Sequence, residues 1–268
     1  MKLFISLLVC ISATLSTAST LACELKMGFR TTERLPLIGK DPINDGLYYE
    51  LYSETAQKIG CQLTVIRSPK KRLLKMLERG QIDFYPGFTF NLERADYVHF
   101  IESGLPGGQI GISRFDVSPI TSLEQLSGLT LVQSLGAPDF AAGVAGITYY
   151  TKAELSIPDA IKLIRKKRAD FYIYPRGTLM YYLRLNNTDD IQVHPDCCGG
   201  VEPLYLGFSI RSKHIEQQSN PNFDPNSSLS ADNWPTSPTP DSIAYRFQQQ
   251  LKAMKESGET MILYKQYY

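Results

Sequence analysis

The chain has 268 residues, with 28 lysines and arginines against 27 aspartates and glutamates, and its formal net charge is +1. This balance gives no electrostatic reason to expect a nucleic-acid partner, because such proteins usually carry clustered excess positive charge. The length suits one large domain or two lobes of ordinary size.

Residues 1–22 have the pattern of a secretory signal peptide. Lys2 is followed by an apolar run from Leu3 to Ile11 and by small residues that end at Ala22. This run is too short to span a bilayer, which takes about 20 apolar residues. We therefore predict that the leader is cleaved after Ala22 and that the mature chain is exported to the periplasm.

The first part of the mature chain alternates between strand and helix patterns. Strands are predicted over 24–30, 62–68 and 82–88, and amphipathic helices over 46–60 and 69–80. Strands that alternate with helices favour a parallel sheet joined by right-handed crossovers.

Two cysteines each stand directly before a predicted strand. If those strands are parallel neighbours, Cys23 and Cys61 lie at the same end of the sheet, about 5 Å apart and close enough to form a disulfide. The alternative is that Cys23 is a lipidated first residue. Cys197 and Cys198 leave two readings open, a vicinal disulfide or two buried thiols.

The pattern of the first part recurs further along the chain. QIDFYPG at 81–87 and RADFYIYP at 168–175 each follow a basic amphipathic helix and end in a strand that stops at proline. This repetition predicts two similar α/β lobes. Residues 219–241 are rich in Pro, Asn, Ser and Asp, and we predict that they form an exposed loop insertion without order of its own.

The stretch DFYPGFTFNLER, from Asp83 to Arg94, collects hydrogen-bond donors just past a predicted strand end. Backbone N–H groups near Gly87, the hydroxyl of Thr89 and the guanidinium of Arg94 are donors that could hold a carboxylate. The alternative is a strand, a turn and a solvated arginine.

Together these segments resemble the periplasmic solute-binding proteins of the amino-acid group, family 3, over nearly the whole mature chain. The resemblance implies a type II fold of two α/β lobes, each a mostly parallel sheet flanked by helices, joined by two crossings. It places lobe one at 23–108 plus 210–268 and lobe two at 109–209. It also implies a monomer that binds a small molecule in the interlobe cleft, with Gly87, Thr89 and Arg94 on its carboxylate.

The sequence departs from this family where amino-acid binders carry acids for the ligand's ammonium group. Arg30 stands at the first such position and Pro175 at the second. The turn at Gly136-Ala137-Pro138 has also lost two hydroxyls of the usual pattern. Arg30, Arg34 and Arg94 near one cleft would suit an anionic or dicarboxylic ligand, with Arg30 either in the cleft or turned to solvent. Glu33 is the nearby residue that could still accept from an ammonium.

Aromatic residues are dense at the predicted strand ends, as is common in binding clefts. We expect Phe29 and Tyr174 to stack on the ligand, and Phe88 and Ala137 to lie beside it. No spacing indicates a metal site, a cofactor motif or a catalytic residue. The leading hypothesis is a binding protein that serves a permease; the alternatives are the input of a signalling system or a dehydratase-like enzyme on the same fold.

Overall fold

A computed structural model describes residues 23–135, 139–153 and 155–268. The predicted signal peptide, residues 1–22, lies outside these ranges. Within them, no helix combines the length and the apolar character that crossing a membrane requires.

The first sheet has five strands in the order β2-β1-β3-β10-β4, of which β10 (Pro203–Ser209) comes from a later part of the chain. Its strands and helices up to the first crossing are β1 (Cys23–Arg30), α1 (Leu47–Lys58), β2 (Cys61–Ser68), α2 (Lys70–Glu78), β3 (Phe84–Phe88), α3 (Leu92–Ala95) and β4 (Val98–Pro106). The strands of this sheet all run in one direction except β10, which is antiparallel to both of its neighbours. The predicted alternation of strand and helix is confirmed here.

The second sheet repeats this plan in the order β7-β6-β8-β5-β9. Its elements are β5 (Gln109–Arg114), a short 3-10 helix (Leu123–Leu126), β6 (Thr130–Ser134), β7 (Thr148–Lys152), α4 (Ile157–Arg165), β8 (Phe171–Pro175), α5 (Arg176–Leu185) and β9 (Ile191–His194). Again one strand, β5, is reversed. The two-lobed fold with mostly parallel sheets is therefore confirmed.

The chain returns to the first lobe through β10 (Pro203–Ser209), which lies between β3 and β4. The second crossing thus spans residues 195–202, earlier than the predicted boundary between residues 209 and 210. The sequence could not predict the position of this crossing, because the residue pattern of a strand does not indicate which of two sheets it joins. The chain ends with β11 (Gln217–Ser219), β12 (Thr236–Pro238), α6 (Ile243–Glu256) and α7 (Glu259–Tyr267).

The core of lobe one forms where α1 and α6 cover the sheet. Leu47, Leu51 and Tyr52 lie on one face of α1 because they recur at helical spacing, and they are fully buried against Phe84 and Phe247. This packing leaves the carboxyl ends of β1, β2 and β3 at one edge of the sheet, since the three strands are parallel.

Both pairs of cysteines form disulfides. Cys23 and Cys61 face each other in the β1–β2 register, with their Cα atoms 4.4 Å apart, so the predicted bridge is confirmed. Cys197 and Cys198 are bonded to each other within the second crossing. Both are buried, Cys197 completely. The structure therefore favours the vicinal disulfide over two free thiols.

The segment 219–241 is mostly exposed, but it has more order than its composition predicts. The side-chain amide of Asn233 donates to the carbonyls of Asp224, Ser227 and Ser228, and its oxygen accepts from the Asp224 N–H. The Trp234 ring lies 6.3 Å from that of Phe90. Polar side chains that bond to local backbone supply the order that apolar burial does not.

Candidate functional site

A cavity of about 410 Å³ lies between the two lobes. From the first lobe it is lined by residues at or just past the carboxyl ends of β1, β2 and β3, and from the second by the ends of β6 and β8 and the start of α5. Open α/β sheets bind ligands outside the carboxyl ends of their strands. The cavity has the position and size of a small-molecule site.

The predicted carboxylate cradle lies on this cavity. Gly87, Thr89 and Arg94 all line it. Gly87 has φ +76°, a left-handed conformation that glycine adopts without strain. Asn91 caps α3 by accepting from the Arg94 N–H at 3.1 Å, and the Arg94 guanidinium lies 4.8 Å from the centre of the Phe88 ring. The turn and the cap thus hold Arg94 at the cavity wall.

Five cationic side chains line the cavity: Arg30, Arg34, Lys70, Arg94 and Arg176. None of them takes part in a salt bridge among the described residues. The cleft walls partly desolvate the Lys70 ammonium, and this effect, followed by repulsion from Arg30, Arg94 and Arg34, lowers its pKa. The cavity is therefore strongly positive.

No described aspartate or glutamate lines the cavity. Elsewhere in the second lobe, arginines are paired: Arg114 contacts Asp170 at 2.9 Å, and Arg165 contacts Asp190 at 2.6 Å. These two arginines are neutralised within the lobe, whereas the five cations of the cleft have no acidic partner among the described residues.

Arg176 occupies a special place because it is tied to both interlobe crossings. Its backbone N–H donates to Gly108 O at 3.0 Å in the first crossing, and its guanidinium donates to the carbonyl of Pro195 in the second. Its Nε atom is buried and has no partner among the described residues. This arginine can therefore still offer a donor to a ligand.

Tyrosines form much of the remaining wall: Tyr48, Tyr85, Tyr172, Tyr174, Tyr264 and Tyr268. Burial raises the pKa of Tyr48 to about 12, and the nearby Arg34 lowers it only in part. Burial also raises the pKa of Tyr85 against the opposing effect of Arg30, Arg34 and Arg94. The phenols of Tyr48 and Tyr85 therefore stay neutral at physiological pH and can donate hydrogen bonds.

The other predicted site residues have different outcomes. Arg30, Phe88 and Tyr174 line the cavity, whereas Glu33 is exposed outside its lining. Ala137 lies outside the described residues. The prediction that Phe29 stacks on the ligand is wrong.

The Phe29 side chain is fully buried in the core of lobe one, where Arg67 lies 5.4 Å from the centre of its ring. Side chains alternate along a strand, so Arg30 and Phe29 point to opposite faces. Phe29 therefore cannot stack on a ligand in the cleft.

Lys70, Arg176, Tyr48 and Tyr85 were missed as site residues. A signal existed for two of them, since Lys70 and Arg176 each follow a proline at or just past the end of a strand, in Ser68-Pro69-Lys70 and Tyr174-Pro175-Arg176. Nothing in the sequence distinguishes Tyr48 from a core residue of α1. Among the described residues, no group of three or more His, Cys, Asp or Glu is arranged to hold a metal ion.

Comparisons with known proteins agree with the two-lobed fold. The sequence matches the family model of bacterial extracellular solute-binding proteins, family 3, over residues 25–268. A search of curated proteins finds no match.

Three solved structures share the fold at low sequence identity. An ancestral arginine-binding protein bound to arginine is 18% identical, with a TM-score of 0.60 over 91% of this chain and 98% of that one. The GluR0 ligand-binding core with L-glutamate is 13% identical, with a TM-score of 0.66 over 93% and 99%. The ancestral amino-acid-binding protein AncCDT-1, a precursor of cyclohexadienyl dehydratase, is 18% identical, with a TM-score of 0.61 over 91% and 95%.

Proposed function

Because this chain belongs to the bacterial extracellular solute-binding proteins of family 3, we propose that it captures a small carboxylate-bearing solute in its interlobe cleft. The observation that carries this proposal is the cleft lining, which holds five cations and no described acidic side chain. A carboxylate on the ligand would supply the negative charge that the described lining of the cleft lacks.

The first-lobe turn supplies the primary carboxylate site. The guanidinium of Arg94 can pair with a carboxylate through two parallel N–H···O bonds, and charge-assisted bonds of this kind are the strong ones. The Thr89 hydroxyl and the backbone N–H groups around Gly87 line the same wall and can complete the contact. The neutral phenols of Tyr48 and Tyr85 lie beside it.

The chain acts as a binding protein and not as an enzyme in this proposal. Among the described lining residues there is no carboxylate or imidazole to exchange protons with a ligand near neutral pH. Glu102, at the edge of the first sheet near the crossing, is paired with Lys255 at 2.6 Å and does not line the cavity. The protein works in the periplasm as a monomer, after cleavage of residues 1–22, and delivers its solute to a permease of the inner membrane.

The test is a thermal-shift screen of the mature protein against monocarboxylates, dicarboxylates, amino acids and sugars, followed by titration calorimetry. A ligand at a hundredfold above its dissociation constant should stabilise the folded state by about 2.7 kcal/mol. We expect shifts with carboxylates and none with neutral sugars. Sugar binding without carboxylate binding would contradict the proposal.

A further inference from the structure

We propose that the ligand carries two acidic groups and no ammonium group, and that each lobe holds one of the acidic groups. This inference rests on the proposed function and deepens it. Lobe one supplies the cradle of Gly87, Thr89 and Arg94, and lobe two supplies Arg176 on the opposite wall of the same cavity.

The two lobes place a cation at the cleft by the same local device. In lobe one, β2 ends at Ser68 and α2 begins with Lys70 after Pro69; in lobe two, β8 ends at Pro175 and α5 begins with Arg176. A cation at a helix N-terminus is unfavourable, because the helix dipole is positive there. An anion bound at each position relieves both repulsions.

The unused donors of the site also point to a ligand with more than one anionic group. The Nε atoms of Arg30 and Arg176, one in each lobe, are buried and have no hydrogen-bond partner within the described part of the chain. A buried donor left unpaired costs free energy, which a ligand oxygen would recover. A single carboxylate bound at the Arg94 cradle leaves the Nε donor of Arg176 in lobe two without an acceptor. A second acidic group on the same ligand can accept from it.

The same charges argue against an α-ammonium group. An ammonium in the cleft would lie among Arg30, Arg34, Lys70, Arg94 and Arg176 with no described carboxylate in the lining. Transferring a cation from water into such a site has a desolvation cost that nothing there offsets. The aromatic walls alone do not compensate for five like charges. A diacid without an amine fits the site better than an amino acid does.

The experiment uses four ligands with a five-carbon chain, glutarate, pentanoate, L-glutamate and L-norvaline, which differ only in a second carboxylate and in an α-ammonium. Titration calorimetry of the mature protein should place glutarate first, with pentanoate weaker by about 30-fold or more, since it leaves a charged donor group unpaired. L-glutamate should also bind more weakly than glutarate. A four-carbon set, succinate, butyrate, L-aspartate and L-2-aminobutyrate, repeats the comparison at another length.

The variant Arg176→Gln tests the role of lobe two, because glutamine keeps a donor for Pro195 and removes the charge. It should make the affinities for glutarate and pentanoate converge. Arg184→Gln, on the exposed face of the same helix, should keep the diacid preference. If Arg176→Gln does not fold, the affinities of the parent protein for the two ligand sets still decide whether the ligand is a diacid.

Equal affinity for glutarate and pentanoate, or tighter binding of L-glutamate than of glutarate, would overturn this inference and leave the proposed function standing. A diacid preference that survives in Arg176→Gln would also overturn it. If no carboxylate of either set binds, the proposed function fails, and this inference fails with it.

Discussion

The Tyr48 hydroxyl lies 2.7 Å from the position that a Cβ atom on Gly87 would occupy. Tyr48 comes from α1 and Gly87 from β3, so this contact joins a helix of the core to the carboxylate cradle. It holds because Gly87 has no side chain and has φ +76°. The cradle is therefore shaped by the absence of a methyl group at one position.

Gly87→Ala should destabilise the protein by about 1–3 kcal/mol, since a left-handed φ is strained for alanine. The new methyl group also overlaps the Tyr48 hydroxyl. Tyr48→Phe should therefore reduce the cost of Gly87→Ala without removing it, and the two changes should be non-additive. Urea unfolding of the two single variants and the double variant measures this coupling. Full additivity would show that the contact has no energetic weight.

Arg94→Ala should weaken carboxylate binding by about 2–5 kcal/mol, because it removes one partner of a desolvated charge pair. Thr89→Val should cost about 1 kcal/mol, the worth of one neutral hydrogen bond. Titration calorimetry with the best carboxylate of the screen gives both values. Arg79→Ala, at the exposed end of α2, is the control and should bind as the parent does. Unchanged affinity in Arg94→Ala would mean that the stretch from Asp83 to Arg94 is only a strand, a turn and a solvated arginine.

Arg30→Asp reverses one charge within the cluster formed with Arg34, Lys70 and Arg94. The new carboxylate should pair with these cations, weaken the binding of glutarate and improve that of L-glutamate, whose ammonium gains an acceptor. The measurement is the ratio of the two dissociation constants in parent and variant. A ratio that does not change would place the Arg30 side chain outside the ligand's reach.

The affinity for carboxylates should fall as the pH rises on the alkaline side, through Lys70. Its pKa is lowered in the free protein and rises again when an anion binds beside it, so binding takes up a proton between these two values. The effect of Lys70 on the folding stability of the free protein has the opposite dependence on pH. Its folded state holds fewer protons than the unfolded chain in the window below the ordinary lysine pKa, so this group makes stability increase with pH there.

Calorimetry at several pH values, in buffers of different ionisation enthalpy, measures this proton uptake. Tyr48 and Tyr85 should not mask the proton uptake, because burial raises the pKa of both. Lys70→Gln should remove the pH dependence, whereas Lys75→Gln, exposed on the same helix, should keep it. A pH dependence that persists in Lys70→Gln would assign the proton to another group.

Removing the Cys23–Cys61 bridge by a double serine substitution should cost about 4 kcal/mol in the chain-entropy model, for a sequence separation of 38 residues. Urea unfolding of the parent and the variant measures the difference. Mass spectrometry of an unreduced digest should show the two peptides linked. A free Cys23, or a Cys23 that carries lipid, would contradict the bridge.

The repeated strand-helix pattern predicted the two-lobed fold, and the spacing of two cysteines before two strands predicted the disulfide. The donors past the strand end marked Arg94 and Thr89 as a candidate carboxylate site, and the resemblance to the family placed them on the interlobe cleft. Phe29 could not be assigned correctly, since a one-residue change in register moves a strand side chain from the cleft to the core. Arg176 owes its place to hydrogen bonds with Gly108 and Pro195, which are distant in sequence.

The position of β10 between β3 and β4 also determines when the sheet of lobe one can be completed during synthesis. Lobe two, from β5 to β9, is one continuous stretch of chain, whereas lobe one lacks its fourth strand until the ribosome has passed Ser209. Pairings between residues so distant in sequence form slowly, because the entropy of closing the loop must be overcome first. Lobe one therefore cannot complete its sheet until nearly four-fifths of the chain, including the whole of lobe two, has been synthesised.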